Sequence, residues 1–380
     1  MFVKTHKDSL TPVITHLINL SFEGNVFPTA WKKAIVAPIF KSGDNYEVSN
    51  YRPISILPVF SKVAEKIVLE QLTSHLNTIE AGLHCMQFGF RVNYSTETAT
   101  LHLIEQIKSK VDKGGFVGTI FLDLRKAFDT VNHTVLLSKL STFQFSSEAL
   151  AWVSSYLSNR EQCVKIKWGK SCDLHYTMGV PQGSVLGPLL FSLYINDLPQ
   201  QCEGIQVQMY ADDTVIFTYA KTAESAAEKL KAATEKITQW LEQSCLSLNI
   251  SKTKGFFFSK TNVKPPDVDI CINGEKIEIV NEFNYLGIIL DSNLSFKKHI
   301  KKMVRNIKHN MANFRQIRQC LSFDVAKALM YATFFAHMSY CLTCWGKAGD
   351  TVIKPLKSLN KQALKILDKK NPTIFILVGS

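Results

Sequence analysis

The run Phe116-Val117-Gly118-Thr119-Ile120-Phe121-Leu122 is almost wholly apolar and is closed by a carboxylate, Asp123. Such a run is too short for a convincing helix and suits a central strand buried on both faces. Two more runs, Gln206 to Tyr210 and Val215 to Tyr219, read as strands on either side of Asp212-Asp213. Successive side chains of a straight strand face opposite ways. Asp is at home in turns, so a bend at this pair would let both carboxylates reach one site. Burying a carboxylate is costly unless something neutralises it. Three of them against strand-like sequence point to a divalent cation, because hard cations take oxygen ligands, often one or two carboxylates completed by substrate phosphates.

The rest of the chain frames these strands. Pro28, Pro38, Pro53 and Pro58 argue against long helices in the first quarter and for short extended pieces such as Ala34 to Ala37. From Ser61, the spacing of Val63, Ile67, Val68, Leu72 and Leu76 predicts an amphipathic helix. Thr96 to Lys110 reads the same way through Ala99, Leu103, Ile104 and Ile107, with Gly114-Gly115 ending it. Val135, Leu136 and Leu140 mark another helical stretch, and Thr222 to Leu246 another, with Leu230, Ala233, Ile237, Trp240 and Leu241 on one face. Strands alternating with helices around a central hairpin predict an α+β sheet covered by helices on one side.

The charge is uneven. Lys+Arg total 44 against 32 acids, a net +12. Eight of the cations (Lys297, Lys298, Lys301, Lys302, Arg305, Lys308, Arg315 and Arg318) fall between Ser292 and Phe323, with no acid among them. Basic excess points to nucleic acid or an acidic membrane surface. Ile300, Val304, Ile307, Met311 and Phe314 give this segment an apolar stripe, and Lys297, Lys301, Arg305 and Lys308 share a neighbouring face. Alone, that pattern fits a solvated face, a membrane-surface or calmodulin-binding helix, or a helix gripping a duplex. With a phosphate-chemistry site upstream, the duplex fits best.

Nine cysteines without regular spacing argue against a disulfide scaffold and for a reducing compartment. Cys341-x-x-Cys344 has neither a second pair nor a downstream His to complete a zinc site. The first twenty residues lack the apolar core of a signal peptide, and no apolar run approaches the roughly 18 residues of a membrane span. A soluble intracellular protein without a membrane partner is the expectation.

The motifs form an ordered series. Phe27-Pro28-x-x-Trp31-Lys32 is followed by Pro38-Ile39-Phe40-Lys41-Ser42-Gly43-Asp44 and Asn50-Tyr51-Arg52-Pro53-Ile54-Ser55. Then come Gln87-Phe88-Gly89-Phe90-Arg91 and Phe121-Leu122-Asp123-Leu124-Arg125-Lys126-Ala127-Phe128-Asp129. Next are Gly179-Val180-Pro181-Gln182-Gly183-Ser184-Val185-Leu186-Gly187-Pro188 and Tyr210-Ala211-Asp212-Asp213. Leu248-Asn249-x-x-Lys252-Thr253 and Tyr285-Leu286-Gly287 close the series. In content and order it resembles the reverse transcriptase domain of non-LTR (LINE-type) retrotransposons, over about Phe27 to Trp345.

The resemblance implies an α+β right-hand fold whose antiparallel palm sheet is backed by helices. Its fingers would span about residues 27–115, its palm about 116–290 and a basic helical thumb with a C-terminal segment 291–380, after an N-terminal extension at 1–26. It implies an RNA-directed DNA polymerase that extends a primer 3′ hydroxyl with dNTPs on an RNA template, the primer or target being DNA. Asp123, Asp212 and Asp213 match the carboxylates that hold two Mg2+ ions, or Mn2+ in their place. Lys41 and Arg52 match contacts to the triphosphate, and Arg91 a template or nucleotide contact. Phe128 matches an aromatic beside the sugar 2′ carbon, where bulk disfavours the 2′ hydroxyl. Gln182 and Gly183 match a loop near template and nucleotide, although a Gly/Pro turn is the plainer reading of that block. Lys252 matches a candidate proton donor to pyrophosphate. Tyr285-Leu286-Gly287 matches the primer grip, and Lys297, Lys301, Arg305 and Lys308 would contact duplex phosphates.

The family acts in the nucleus, and the cytoplasm is a second expected location. Lys297 to Lys302 could serve as a nuclear signal, but the thumb reading explains it as well. The family's endonuclease and Cys/His knuckle are not expected here, so target cleavage is not assigned to this chain. The alternative to a polymerase is a catalytically inactive nucleic-acid-binding remnant. A palm-fold nucleotide cyclase ranks behind both, since it needs neither Phe128 nor a basic thumb.

Overall fold

The computed structural model describes residues 5–80, 82–202, 204–260 and 269–368. The chain begins with α1 (Lys7–Glu23), β1 (Lys33–Phe40), β2 (Tyr51–Ile56), α2 (Val59–Thr78), α3 (Thr96–Val111) and β3 (Phe116–Leu122). It continues through α4 (His133–Ser141), α5 (Ser147–Leu157), β4 (Arg160–Ile166), β5 (Gly169–Lys170), β6 (Leu174–Tyr176) and α6 (Gly187–Tyr194). Then follow β7 (Gln206–Tyr210), β8 (Asp213–Ala220), α7 (Ala223–Gln243), β9 (Lys254–Phe258), β10 (Cys271–Ile272), β11 (Glu275–Lys276) and β12 (Glu278–Ile279). The hairpin β13 (Glu282–Tyr285) and β14 (Ile288–Asp291) leads into α8 (Lys297–Ile317) and α9 (Phe323–Met330). After a π-helical turn, Tyr331–Phe335, come α10 (Ala336–Ser339), α11 (Leu342–Trp345) and α12 (Asp350–Asp368).

The apolar run at Phe116 is the middle strand of a sheet ordered β12-β9-β3-β8-β7. β3 is antiparallel to both neighbours, and its register with β8 ends at Leu122 opposite Thr214. Side chains alternate faces along it. Ile120 and Leu122 enter one core, with Leu230 and Ile237 of α7 and Leu189 and Phe191 of α6. Val117 and Phe121 enter a second, with Leu103 and Ile107 of α3, Phe256 and Phe258 of β9 and the C-terminal helices. Helices therefore cover both faces, not one as expected. The apolar side chains on both faces of β3 are the physical reason, since Val117 and Phe121 on one face and Ile120 and Leu122 on the other all need cover.

A second sheet, order β2-β1-β4-β5 with β6 also on β4, is built from the N-terminal region and the segment before α6. β1 and β4 run parallel, and the other pairings are antiparallel. One helix there was not expected. The prolines that argued against long helices all lie beyond Glu23, and α1 tolerates Pro12 inside it. Its buried Ser21 accepts a hydrogen bond from Trp152 Nε1 at 2.9 Å, and Ile18 joins the core beside Phe27 and Trp31.

In α8 the apolar stripe Ile300, Met303, Ile307, Met311 and Phe314 is buried, while Val304 is half-buried. Lys297, Lys301, Arg305 and Lys308 remain exposed. No helix among the described residues is long and apolar enough to cross a membrane. The segment expected from 291 to 380 is described as far as Asp368.

Candidate active site

The strand register assembles the carboxylates. One step beyond the Leu122–Thr214 pair come Asp123 and Asp213, which line one cleft. Both continue the odd-numbered face of their strands, the face of Phe121, Val215 and Phe217. The turn between β7 and β8 is Ala211-Asp212, one residue earlier than a bend centred on the aspartate pair, because Tyr210 pairs with Asp213. Ala211 adopts a left-handed φ of 55°.

Two loops hold these backbones. The Asp123 N–H donates to Thr253 Oγ1 at 3.2 Å, and the Asn249 N–H donates to Asp123 O at 2.7 Å. The block Leu248-Asn249-x-x-Lys252-Thr253 is thus a clamp on the first aspartate. The β7–β8 hairpin is gripped by Gln87-Phe88-Gly89. Met209 N–H donates to Met86 O at 2.9 Å and Phe88 N–H to Met209 O at 2.8 Å. Gly89 lies so close that a Cβ there would fall 2.3 Å from the Ala211 nitrogen. Only glycine permits that approach.

The acids disturb one another. The Asp213 carboxyl is pushed up to about 6, first by loss of solvent and then by Asp212 and Asp123, with Lys41 opposing. Asp212 is also raised, mainly by loss of solvent and further by Asp123, while its own backbone, Lys41 and Arg52 pull it down. Both side chains still reach water, so the cleft walls strip only part of their hydration. Lys41 and Arg52, at the adjoining ends of β1 and β2, are exposed and sit within electrostatic reach of the same acids. Among the described residues no three Asp, Glu, His or Cys side chains form a ready-made cation cage. The donor set still fits Mg2+, which is usually bound by one or two carboxylates plus substrate phosphates.

A cleft of about 250 Å3 opens beside the carboxylates, lined by Asp123, Asp213, Lys252 and the turn from Asn284 to Gly287. The turn residues Leu286 and Gly287 both have positive φ, as a type I′ hairpin turn requires. Phe283 stacks on Phe121 at 4.0 Å between ring centroids, and Tyr340 Oη donates to Leu286 O at 2.5 Å. The hairpin is thereby tied to the sheet beneath it and the helices behind it.

Phe128 is half-buried, stacked on Phe191 at 4.5 Å and edge-on to Phe90 at 6.2 Å. Its ring is therefore part core. Gln182 Nε2 donates to Asp129 Oδ1 at 2.9 Å, and Gln182 O accepts from the Ser55 N–H at 2.7 Å. Gly183 has φ 107°, and a Cβ there would stand 2.8 Å from Ser55 O. Burial pushes the Asp129 carboxyl up, and the Gln182 bond and Lys126 restrain it. Arg91 is turned onto its own loop, donating to His84 O at 3.0 Å and Gln87 O at 3.3 Å, with its guanidinium 4.4 Å over the Tyr94 ring. Lys297, Lys301, Arg305 and Lys308 lie apart on α8 and make no ion pair among the described residues.

Sequence reasoning missed Glu65. Fully buried on α2, it accepts from Ser61 Oγ at 2.7 Å and from the backbone N–H groups of Val185 at 2.7 Å and Leu186 at 3.2 Å. The N–H groups lie at the start of α6, where a negative charge is favoured. Glu65 thus holds the glycine-rich block from beneath. Nothing in its local pattern distinguished it from a solvated helix glutamate. Asp129 was missed as the partner of Gln182 because the two lie 53 residues apart in the chain.

A reverse transcriptase (RNA-dependent DNA polymerase) family model matches residues 39–290, more than half of the chain. The chain belongs to the reverse transcriptase family. It is 29% identical over 364 residues to a probable RNA-directed DNA polymerase from transposon X-element of Drosophila melanogaster, covering 93% of this chain and 39% of that protein. It is 30% identical over 354 residues to the corresponding protein from transposon BS of the same fly, covering 90% and 39%. The chain thus spans about two fifths of the length of the curated relatives it matches. Among solved structures, apo telomerase from Candida tropicalis matches 95% of this chain and 68% of that one, at 13% identity and a TM-score of 0.48.

Proposed function

We propose that the chain is the polymerase unit of a non-LTR retrotransposon, an RNA-directed DNA polymerase that extends a primer 3′ hydroxyl with dNTPs on an RNA template. One observation carries the reading. Asp123, Asp212 and Asp213 meet at the end of the central sheet, in mutual electrostatic contact and within reach of Lys41 and Arg52. In this reading the fingers are about residues 27–115, the palm about 116–290 and the thumb the helices from 291 on, with 1–26 preceding them.

Asp123, Asp212 and Asp213 would hold the divalent ions. When bound, such ions lower the pKa of the attacking hydroxyl and neutralise charge on the phosphates. The chain's own groups supply the positioning. Lys41 and Arg52 bind the triphosphate, Arg52 with a planar fork and Lys41 as a compact charge. The Phe128 ring limits room at the sugar 2′ carbon and so favours deoxynucleotides. The loop of Gln182 and Gly183 faces template and nucleotide, and Arg91, held by its own loop, contacts template or nucleotide. Lys252 lines the cleft and would donate a proton to the leaving pyrophosphate. The α8 cations follow duplex phosphates without regard to sequence. RNA template, DNA primer or target and dNTPs are then the partners, and nuclear chromosomal DNA the place of action.

Extension of a DNA primer on an RNA template with Mg2+ and dNTPs tests the reading. The wild type is expected to extend, and Asp212→Ala to lose at least about 10³-fold, the several kcal/mol that metal-ion charge stabilisation supplies. Equal extension by both would put the chemistry elsewhere. Extension by neither, with template still bound, would leave a binding remnant.

A further inference from the structure

The hairpin β4–β5 exposes what folding ordinarily hides. Ile166 pairs with Gly169, so Lys167-Trp168 is its two-residue turn. The Trp168 side chain is 85% exposed, although an indole is among the most expensive apolar surfaces to leave in water. Lys167 Nζ lies 4.7 Å over its ring. Lys165 and Lys170 face each other across the hairpin, and from Gln162 to Cys172 there is no acid. Lys165 and Lys167 make no ion pair among the described residues, while Lys170 has only Asp173 at 3.7 Å.

The register shows where this turn lies. β4 runs parallel to β1, with Val164 beside Val36. β4 ends at Ile166, two residues before Trp168, and β1 ends at Phe40, so the turn and the Phe40-Lys41 end of β1 lie at the same end of the sheet. Phe40 in turn pairs with Tyr51, next to Arg52, and its exposed ring stands 5.4 Å from that of Tyr51. Strand by strand, that end carries an aromatic ring beside a cation, and the last two cations, Lys41 and Arg52, act on Asp212.

We infer that the Trp168 hairpin is a docking surface for the unpaired template strand before it enters the active site. Unpaired bases offer ring faces to an indole while lysines follow the phosphates. A duplex offers no free base face to a turn of this kind. An acidic membrane would attract the same lysines, but the row of ring-and-cation pairs leads toward phosphate chemistry, which a membrane does not explain. The inference rests on the polymerase reading and adds to it the route of the template.

The test is binding of the whole chain to two primer–templates by fluorescence anisotropy, one blunt and one with an unpaired 5′ template extension of about ten nucleotides. The extension is expected to tighten wild-type binding, and Trp168→Ala to remove about tenfold of that gain. Trp168→Phe, which keeps an aromatic face, should restore most of it, and affinity for the blunt duplex should not follow either change. Equal affinities of wild type and Trp168→Ala for the extended substrate would overturn the inference, as would an equal loss on both substrates. Trp168-dependent binding to phosphatidylserine vesicles without an extension effect would overturn it in favour of a membrane. Primer extension by wild type alongside any of these negative results would leave the polymerase reading standing.

Discussion

Of the hairpins that turn on two residues, β7–β8 and β4–β5 stand in opposite surroundings. The β7–β8 turn, Ala211-Asp212, is gripped from behind by Gly89 and by strand-like bonds to Met86 and Phe88. The β4–β5 turn, Lys167-Trp168, stands in water with its ring exposed. The first keeps mutually repelling carboxylates in place, and repulsion at short range must be countered by backbone that cannot give way. The second exposes an apolar ring whose use needs reach and stacking but no fixed position. Tight support therefore marks the turn where an ångström matters for chemistry, and its lack marks a turn suited to a mobile strand.

The largest effects should follow damage to the supported turn. Asp212→Ala removes a proposed ion ligand and should lower extension by at least about 10³-fold while circular dichroism stays native. Glu65→Ala strips Val185 and Leu186 of their acceptor. It should cost about 3 kcal/mol in urea unfolding, the order expected for buried donors left unsatisfied. Equal stability would mean that the buried carboxylate is dispensable to the loop. Gly89→Ala forces a methyl against the Ala211 nitrogen. It should lower kcat by about 10²-fold while circular dichroism stays native, as a shift of about 1 Å at the hairpin would do.

Smaller effects should follow protonation. Asp213 titrates at about 6, above the ordinary carboxylate range, and only the ionised form holds a cation. Extension should therefore fall as pH drops from 7 to 5. Stability of the metal-free chain should move the other way. A raised carboxyl favours the folded state below the unfolded pKa and loses that contribution as pH climbs through about 6. Asp213→Asn should accordingly raise the melting temperature of the metal-free chain at pH 7.5, and no change there would remove the repulsion from the account. The smallest effect is expected for Lys301→Ala on the exposed face of α8, a few-fold loss of duplex affinity with the salt slope reduced by about 1.

Much of this was legible because it is local and periodic. β3 follows its apolar run residue for residue, and α3, α7 and α8 follow their three-four spacing. The carboxylates were legible because each ends an apolar run inside an ordered block. What was hidden is long-range. Glu65 serves N–H groups about 120 residues away, and a glutamate on an amphipathic helix otherwise reads as solvated. Gly89 matters through residue 211, and Gln182 through Asp129. The helix α1 was hidden because the prolines that argued against it lie past its end.

The central claim is that the register of β3 and β8 gathers Asp123, Asp212 and Asp213 into one cation site. Mn2+ binding, followed by electron paramagnetic resonance in a complex with dNTP and a dideoxy-terminated primer–template, tests it most directly. The wild type and Trp168→Ala should bind Mn2+ saturably, and Asp123→Asn and Asp212→Asn should each lose that binding. Unchanged Mn2+ binding in either asparagine variant would contradict the account.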